Sequence, residues 1–172
     1  MPVVLTRAAT EADIAWIVSQ ERRPDFAAFI HCWPAEQHAR NLADADKLYL
    51  IGQDDAGERL AFVILAGLGS QPRNVELVRM GVARPGTGIG KPLLASVLET
   101  VFDKLGANRL WLDVFDDNMR ARRVYQAVGF REEGTPPLAA RKTDGEPGFL
   151  IIMSMLAADH ALTRRSESRS QA

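Results

Sequence analysis

The stretch Val82-Ala-Arg-Pro-Gly-Thr-Gly-Ile-Gly-Lys-Pro-Leu-Leu94 decides how this chain is read. Before it, residues 75–82 (VELVRMGV) form an apolar run carrying Glu76 and Arg79 and read as a strand. After it, Leu93, Leu94, Val97, Leu98, Val101, Phe102 and Leu105 recur at helical spacing. A strand therefore runs into a glycine loop and then a helix. Gly86, Gly88 and Gly90 let backbone N–H groups converge without Cβ obstruction, and the unpaired N–H groups at a helix start favour an anion. This is the outline of a diphosphate seat, although glycines here also serve simply to turn the chain. A Walker loop needs Lys followed by Ser or Thr, whereas Lys91 precedes Pro92, which disfavours an ATPase or nucleotide kinase. The dinucleotide fingerprint G-x-G-x-x-G differs from Gly86-x-Gly88-x-Gly90, and this loop sits at mid-chain, which disfavours NAD.

Working outward, 172 residues suit one domain with a substantial core, and 47% apolar with 25% charged residues is ordinary globular composition. Lys plus Arg number 21 against 22 Asp plus Glu, so nothing global points to nucleic acid or an anionic membrane. No run approaches the roughly 20 apolar residues of a membrane span, and a cytoplasmic enzyme or binding domain is the expectation. Cys32 is the single cysteine, which excludes an internal disulfide. It reads as a small buried apolar residue or as a nucleophile near His31 or His38. Those histidines lack an obvious third ligand, and no metal is expected.

Residues 3–7 read as a first strand, and Thr10-Glu-Ala-Asp13 is an N-cap signature opening a helix to about Gln20. Helical regions are expected over 24–31 and 34–43. Phe26, Phe29, Ile30 and Trp33 are either core or the wall of an acceptor cleft. Residues 47–53 and 59–68 read as a hairpin about the turn Asp54-Asp-Ala-Gly57, followed by the strand 75–82. Gly106-Ala-Asn108 closes the long helix, and RLWLDV (109–114) is a central strand. A helix with Ala121, Val124, Tyr125 and Val128 on one face follows, capped near Asn118 and ended by Gly129. Phe130 begins another strand, residues 132–147 make a long connection, and GFLIIMSML (148–156) is the last strand. The domain is expected over 1–157, with the polar tail 158–172 disordered. The fold class is α/β (α+β): a mixed, mostly antiparallel twisted sheet of six to seven strands with helices on both faces.

With the loop, the WLDV strand and Asn118-Met-Arg-Ala-Arg-Arg-Val-Tyr-Gln-Ala-Val-Gly-Phe130 in view, the chain resembles the GNAT superfamily of acyl-CoA-dependent N-acetyltransferases. Within it, ELVRMGV, GIGKPLL, ARRVYQAVGF and LIIMSML look most like the ribosomal-protein-alanine N-acetyltransferase branch. The resemblance implies acetyl-CoA as cosubstrate and a primary amine acceptor, a protein N-terminus or a small amine. It also implies that the amides of Gly86, Thr87, Gly88, Ile89, Gly90 and Lys91 hold the CoA diphosphate, and that Met80, Gly81 and Val82 run beside the pantetheine arm. The family pattern Q/R-x-x-G-x-G/A meets Pro85 at its first position, so the contact made there is in question, with Arg84 one residue earlier.

The same resemblance makes Glu76 the general base through water, the N–H near Val82 the oxyanion donor, and Tyr125 the acid that protonates the departing thiolate of a tetrahedral intermediate. Each has a plainer reading. Glu76 could pair with a cation, although strand alternation sets Arg79 on the other face unless a bulge intervenes, and Tyr125 could be a core aromatic. Asn118 is a helix cap, a pantetheine contact, or both. Arg120, Arg122 and Arg123 either reach the 3′-phosphate or are solvated helix arginines. Gly81 marks a bulge or a close approach, and Pro136-Pro137 reshapes the acceptor mouth. The rival from another class is a non-catalytic acyl-CoA-binding or regulatory module, and a homodimer through the exposed sheet edge is compatible with the pattern.

Overall fold

A computed structural model describes residues 4–134, 139–142 and 145–170. The chain opens with β1 (Val4–Ala8), α1 (Glu11–Glu21), the short α2 (Pro24–Ala27) and α3 (Ala35–Leu42). An antiparallel run follows: β2 (Lys47–Gln53), β3 (Arg59–Ala66) and β4 (Asn74–Val82). The glycine loop then leads into α4 (Gly90–Leu98), which continues as a π-helical turn over Glu99–Lys104. Next come β5 (Arg109–Phe115), α5 (Met119–Ala127), β6 (Arg131–Glu132), β7 (Ala139–Arg141), β8 (Pro147–Leu156) and α6 (Ala157–Ser170). The strand order is β1-β2-β3-β4-β5-β8-β6, with β7 on β8. The mixed sheet and its helices are those expected, and β7 is a short addition drawn from the long connection.

The sheet has two different faces because alternate residues of each strand point opposite ways. One carries the main core, where Leu93, Leu94, Val97 and Val101 meet Val63, Leu65, Leu77, Leu110, Leu112 and Met153. The other is covered by α1 and its loop, with Ile17 against Tyr49, Ile51, Phe62 and Ile64. The N-cap signature works as read, since the Thr10 amide donates to Asp13 Oδ2 at 2.8 Å. Arg7 and Arg59 close on the same buried carboxylate at 2.7 and 2.8 Å.

Two expectations need correction. The polar tail is helical to Ser170 rather than disordered: Ala, Leu, Arg and Glu are good helix formers, and docking supplies what composition lacks. His160 stacks on Phe102 at 5.0 Å, Arg131 meets Asp159 at 3.4 Å, and Arg164 pairs with Asp103. The helix expected over 24–31 stops at Ala27, and the chain beyond it turns irregularly beneath β4.

Two irregularities of β4 position the site. In its pairing with β3, Arg79 faces Ile64 but Leu77 faces Leu65, so Val78 is an extra, bulged residue. Val75 and Leu77 therefore share the main core with Met80 and Val82, while Glu76, Val78, Arg79 and Gly81 turn to the α1 face. Secondly, β4 and β5 run parallel but pair only at Asn74↔Arg109, Val75↔Leu110 and Glu76↔Trp111. Beyond Glu76 the two strands part, although β5 stays paired with β8 along its whole length.

Gly81 marks a close approach and not the bulge. A Cβ there would lie 2.2 Å from Phe62 Cε1. Gly81→Ala is expected to cost about 1–3 kcal/mol by overpacking. In urea unfolding, the double variant with Phe62→Leu should lose less than the sum of the two single changes, because the smaller side chain relieves the clash.

Candidate functional site

Where β4 and β5 separate, a cleft of about 870 Å³ opens between them. Its floor is the unpaired edge of β4. Ala83 donates its N–H to Leu60 on β3 at 2.8 Å, so by antiparallel alternation Met80 and Val82 direct N–H and C=O to the other edge, into the gap. Those groups are free of β5; the Val82 carbonyl accepts from Arg23 Nη1 at 2.7 Å, and the Met80 groups and the Val82 N–H face the gap, where an extended amide-bearing ligand can pair with them. Met80 and Val82 line the cleft, whereas Gly81 is turned under against Phe62.

The glycine loop forms the mouth. Gly86 (φ 82°) and Gly88 (φ 80°) adopt left-handed backbone, with no atom within 4 Å of the point a Cβ would occupy, so conformation and not space demands glycine. Both line the cleft with Ile89, Gly90 and Lys91, where the first amides of α4 lack helical partners. Thr87 does not face the cleft; its hydroxyl donates to the Arg84 carbonyl at 2.7 Å and braces the loop. Arg84 reaches the rim, but its guanidinium pairs with the exposed Glu58 carboxylate at 3.0 Å. Across the mouth, Asn118 caps α5 by accepting the Ala121 amide at 3.2 Å, and it lines the cleft with Arg120. Arg122 is not available for a phosphate, since it donates to the Asp116 carbonyl and pairs with Glu132 at 2.8 Å.

Glu76 and Tyr125 both reach the cleft. Glu76 is half-buried and does not pair with Arg79, even though the Val78 bulge brings the two onto one face; Arg79 meets Glu21 instead. Burial pushes the Glu76 carboxyl up, and the charge of Asp113 pushes it further. Tyr125 packs against Phe130, and burial, then Asp113, pushes its phenol up to about 12, so it keeps its proton at neutral pH. Asp113 lines the cleft within electrostatic reach of both, and although solvent enters there, the protein crowded around it raises its carboxyl against the pull of Arg79. Sequence reasoning missed Asp113, which sits within an apolar strand. Its only signal was an acid at a position alternating with Leu112 and Val114.

Both segments named for the acceptor border the cleft: Phe26, Phe29, Ile30 and His31 on one side, Ala140, Arg141 and Lys142 on the other. Pro136 and Pro137 lie outside the described residues. Trp33 belongs to the core and not the cleft, with the Arg79 guanidinium 3.9 Å from its ring centroid. Arg79 also donates to the His31 carbonyl at 2.7 Å, and Glu21 accepts the Trp33 amide at 3.1 Å. His38 is buried 3.3 Å from Glu21 and 3.2 Å from the Tyr49 hydroxyl. Cys32 donates to the Glu21 carbonyl, and burial pushes its thiol up, which opposes a nucleophilic thiolate. These groups hold the loop that carries His31 and Trp33 from behind.

No helix among the described residues is long and apolar enough to cross a membrane. The Acetyltransferase (GNAT) family model matches residues 15–130, which include the cleft strands, the glycine loop and α5. An uncharacterised N-acetyltransferase of Mycobacterium tuberculosis is 34% identical over 99 residues, 56% of this chain and 61% of that protein. The chain spans less than two thirds of the mycobacterial relatives it matches. An aminoglycoside N(6')-acetyltransferase type 1 of Klebsiella pneumoniae is 24% identical over 155 residues, 77% of this chain and 76% of that one. The fold is that of a spermidine N-acetyltransferase from Vibrio cholerae solved in complex with CoA and spermine, at TM-score 0.80 and 19% identity, covering 90% of this chain and 96% of that one. The branch suggested by the sequence blocks, that of the ribosomal-protein-alanine enzymes, finds no support in these likenesses. On the extent of the family match, together with a parted pair of parallel strands and a glycine loop at their mouth, this chain belongs to the GNAT acetyltransferase family.

Proposed function

We propose that this chain transfers the acetyl group of acetyl-CoA to a primary amine of a small cationic acceptor by direct attack within the cleft. The observation that carries the reading is the parting of β4 and β5 after three residue pairs, with Glu76 and Tyr125 both facing the gap. The residues present fit the cosubstrate. The loop amides from Gly86 to Lys91 would hold its diphosphate, Lys91 and Arg120 add positive charge, and the Met80 and Val82 edge would take its amide-bearing arm. When bound, acetyl-CoA supplies an activated thioester carbonyl.

The remaining work falls to side chains and backbone of this chain. An amine with a pKa near 10 is mostly protonated at pH 7, and Glu76, a stronger base for being buried, would accept its proton, directly or through water. The Val82 N–H would stabilise negative charge on the carbonyl oxygen, and the Tyr125 phenol would offer a proton to the departing sulfur. The cleft is electrically polarised. Lys91 and Arg120 stand at its mouth, while Glu76 and Asp113 lie at the acceptor end, where Arg79 is matched by Glu21 and Lys142 by Asp117, with Arg141 on the border. An anionic cosubstrate and a cationic acceptor would thus enter opposite ends, which favours a polyamine-like or aminoglycoside-like acceptor over the single charge of a protein N-terminus. The amine acceptors in the names of the Klebsiella and Vibrio relatives agree with this.

Acetyl-CoA consumption against a panel of polyamines, aminoglycosides, amino acids and N-terminal peptides checks the reading. Tyr125→Phe and Glu76→Gln should each lower kcat by about 10²-fold or more on the best amine. Tight CoA binding with no turnover on any amine, and indifference to both changes, would instead identify a non-catalytic module. Preference for peptides would overturn the acceptor class.

A second outcome concerns pH. Glu76 works as the carboxylate, so kcat/KM rises as pH increases through its elevated pKa. Asp113→Asn removes a like charge, which lowers the Glu76 pKa, and the acidic limb of the kcat/KM profile should move to lower pH. KM for a polycationic amine should rise by about tenfold as the ion contact is lost.

A further inference from the structure

Arg23 occupies the turn between α1 and α2, outside every block that carries the family resemblance, yet its side chain lies against the cosubstrate strand. Nη1 donates to the carbonyls of Val82 at 2.7 Å and Ala83 at 2.9 Å, the last residues before the glycine loop, and to Gln20 Oε1 at 2.8 Å. Nε and Nη2 grip the Asp25 carboxylate at 3.1 and 2.7 Å. One planar guanidinium thus joins α1, the first turn of α2 and the end of β4. Asp25, whose carboxyl is held down chiefly by Arg23, also feels Arg120 on α5 across the cleft.

The contact falls where the strand has lost its neighbour. Val82 turns its N–H and C=O toward the gap left by β5, so its carbonyl would otherwise be held by nothing in the sheet. The same residue supplies the N–H aimed at the reacting carbonyl under the reading above. On the other side, Arg23 is the residue from which α2 and Phe26, Phe29 and Ile30 depart to form the acceptor wall. We propose that Arg23 is a positioning residue that clamps the acceptor wall to the reacting edge of β4, fixing the Val82 amide and the amine pocket relative to one another. The requirement is for a flat fork that reaches two converging carbonyls and a carboxylate at once, which a lysine ammonium does not match.

This rests on the acetyl-transfer reading for its kinetic consequence but not for its structural one, so both are measured. Arg23→Gln and Arg23→Lys are compared with the wild-type chain in thermal melts, in steady-state kinetics with the best amine of the panel, and by hydrogen exchange of the peptide over residues 24–31. Arg23 is only 24% exposed and makes five hydrogen bonds, so both variants should melt modestly below wild type. Exchange over 24–31 should quicken in both variants. The amine KM should rise and kcat should fall by about 10²-fold, the scale of a small misplacement of reacting groups, with Lys recovering little of either. Unchanged exchange and unchanged kinetics would overturn the clamp, and full rescue by Lys would overturn the role of the fork in favour of charge alone. A wild-type chain that acetylates no amine would sink the acetyl-transfer reading, while the exchange comparison would still decide whether Arg23 holds the wall.

Discussion

The site depends on one interruption of hydrogen bonding. Two parallel strands that began to pair at Asn74 and Arg109 stop pairing after Glu76 and Trp111. An unpaired strand edge buried inside a protein would be costly, because each orphan N–H or C=O forfeits its solvation. Here the edges border an open cleft, where a ligand with amides of its own can take the missing partner's place. The separation is tolerated because each strand is secured on its far side, β4 by β3 and β5 by β8.

Around that gap the chain arranges charge by depth. Asp113 and Glu76 stand on neighbouring strands on the face away from the main core, and the Asp113 charge makes Glu76 harder to ionise. At Asp113 itself, Arg79 offsets part of the effect of burial. The Arg79 guanidinium is nearly enclosed, between the face of Trp33 and the carboxylate of Glu21, 3.0 Å away. A buried ion pair adds little net stability over an apolar substitute, yet breaking one leaves a charge stranded. Its visible consequence is placement: Arg79 and Glu21 hold the backbone of His31 and Trp33, and with it one wall of the cleft. The Val78 bulge makes this possible, since regular alternation would have pointed Arg79 into the apolar core.

Pro85 departs from the usual residue at the first position of the glycine loop, and Arg84 does not make good the loss, because it pairs with Glu58. Other cations line the same cleft: Arg23 before α2, Lys91 at the start of α4 and Arg120 in α5. Arg122, which shares the short basic run of α5, is spent on Glu132 and the Asp116 carbonyl, so adjacency in sequence did not predict a shared role.

Much of the fold was legible in the chain. Hydrophobic period separated strands from helices, Thr10 and Asn118 marked helix starts that carry their hydrogen bonds, and Gly86 and Gly88 take the left-handed backbone expected of a turning loop. Those signals are local, because period and capping depend on residues a few positions apart. The candidate base and acid, Glu76 and Tyr125, were named from the resemblance to a family and not from period or capping, and both line one cleft. Where β4 leaves β5, which residue bulges, and that Asp113 and Arg23 reach the cleft were decided only in three dimensions. Strand register and side-chain convergence answer to the packing of segments tens of residues apart, and no spacing along the chain records that distance. The helical tail belongs with them, since its polar composition carries no core stripe and its order comes from contacts made elsewhere, at Phe102 and Asp103.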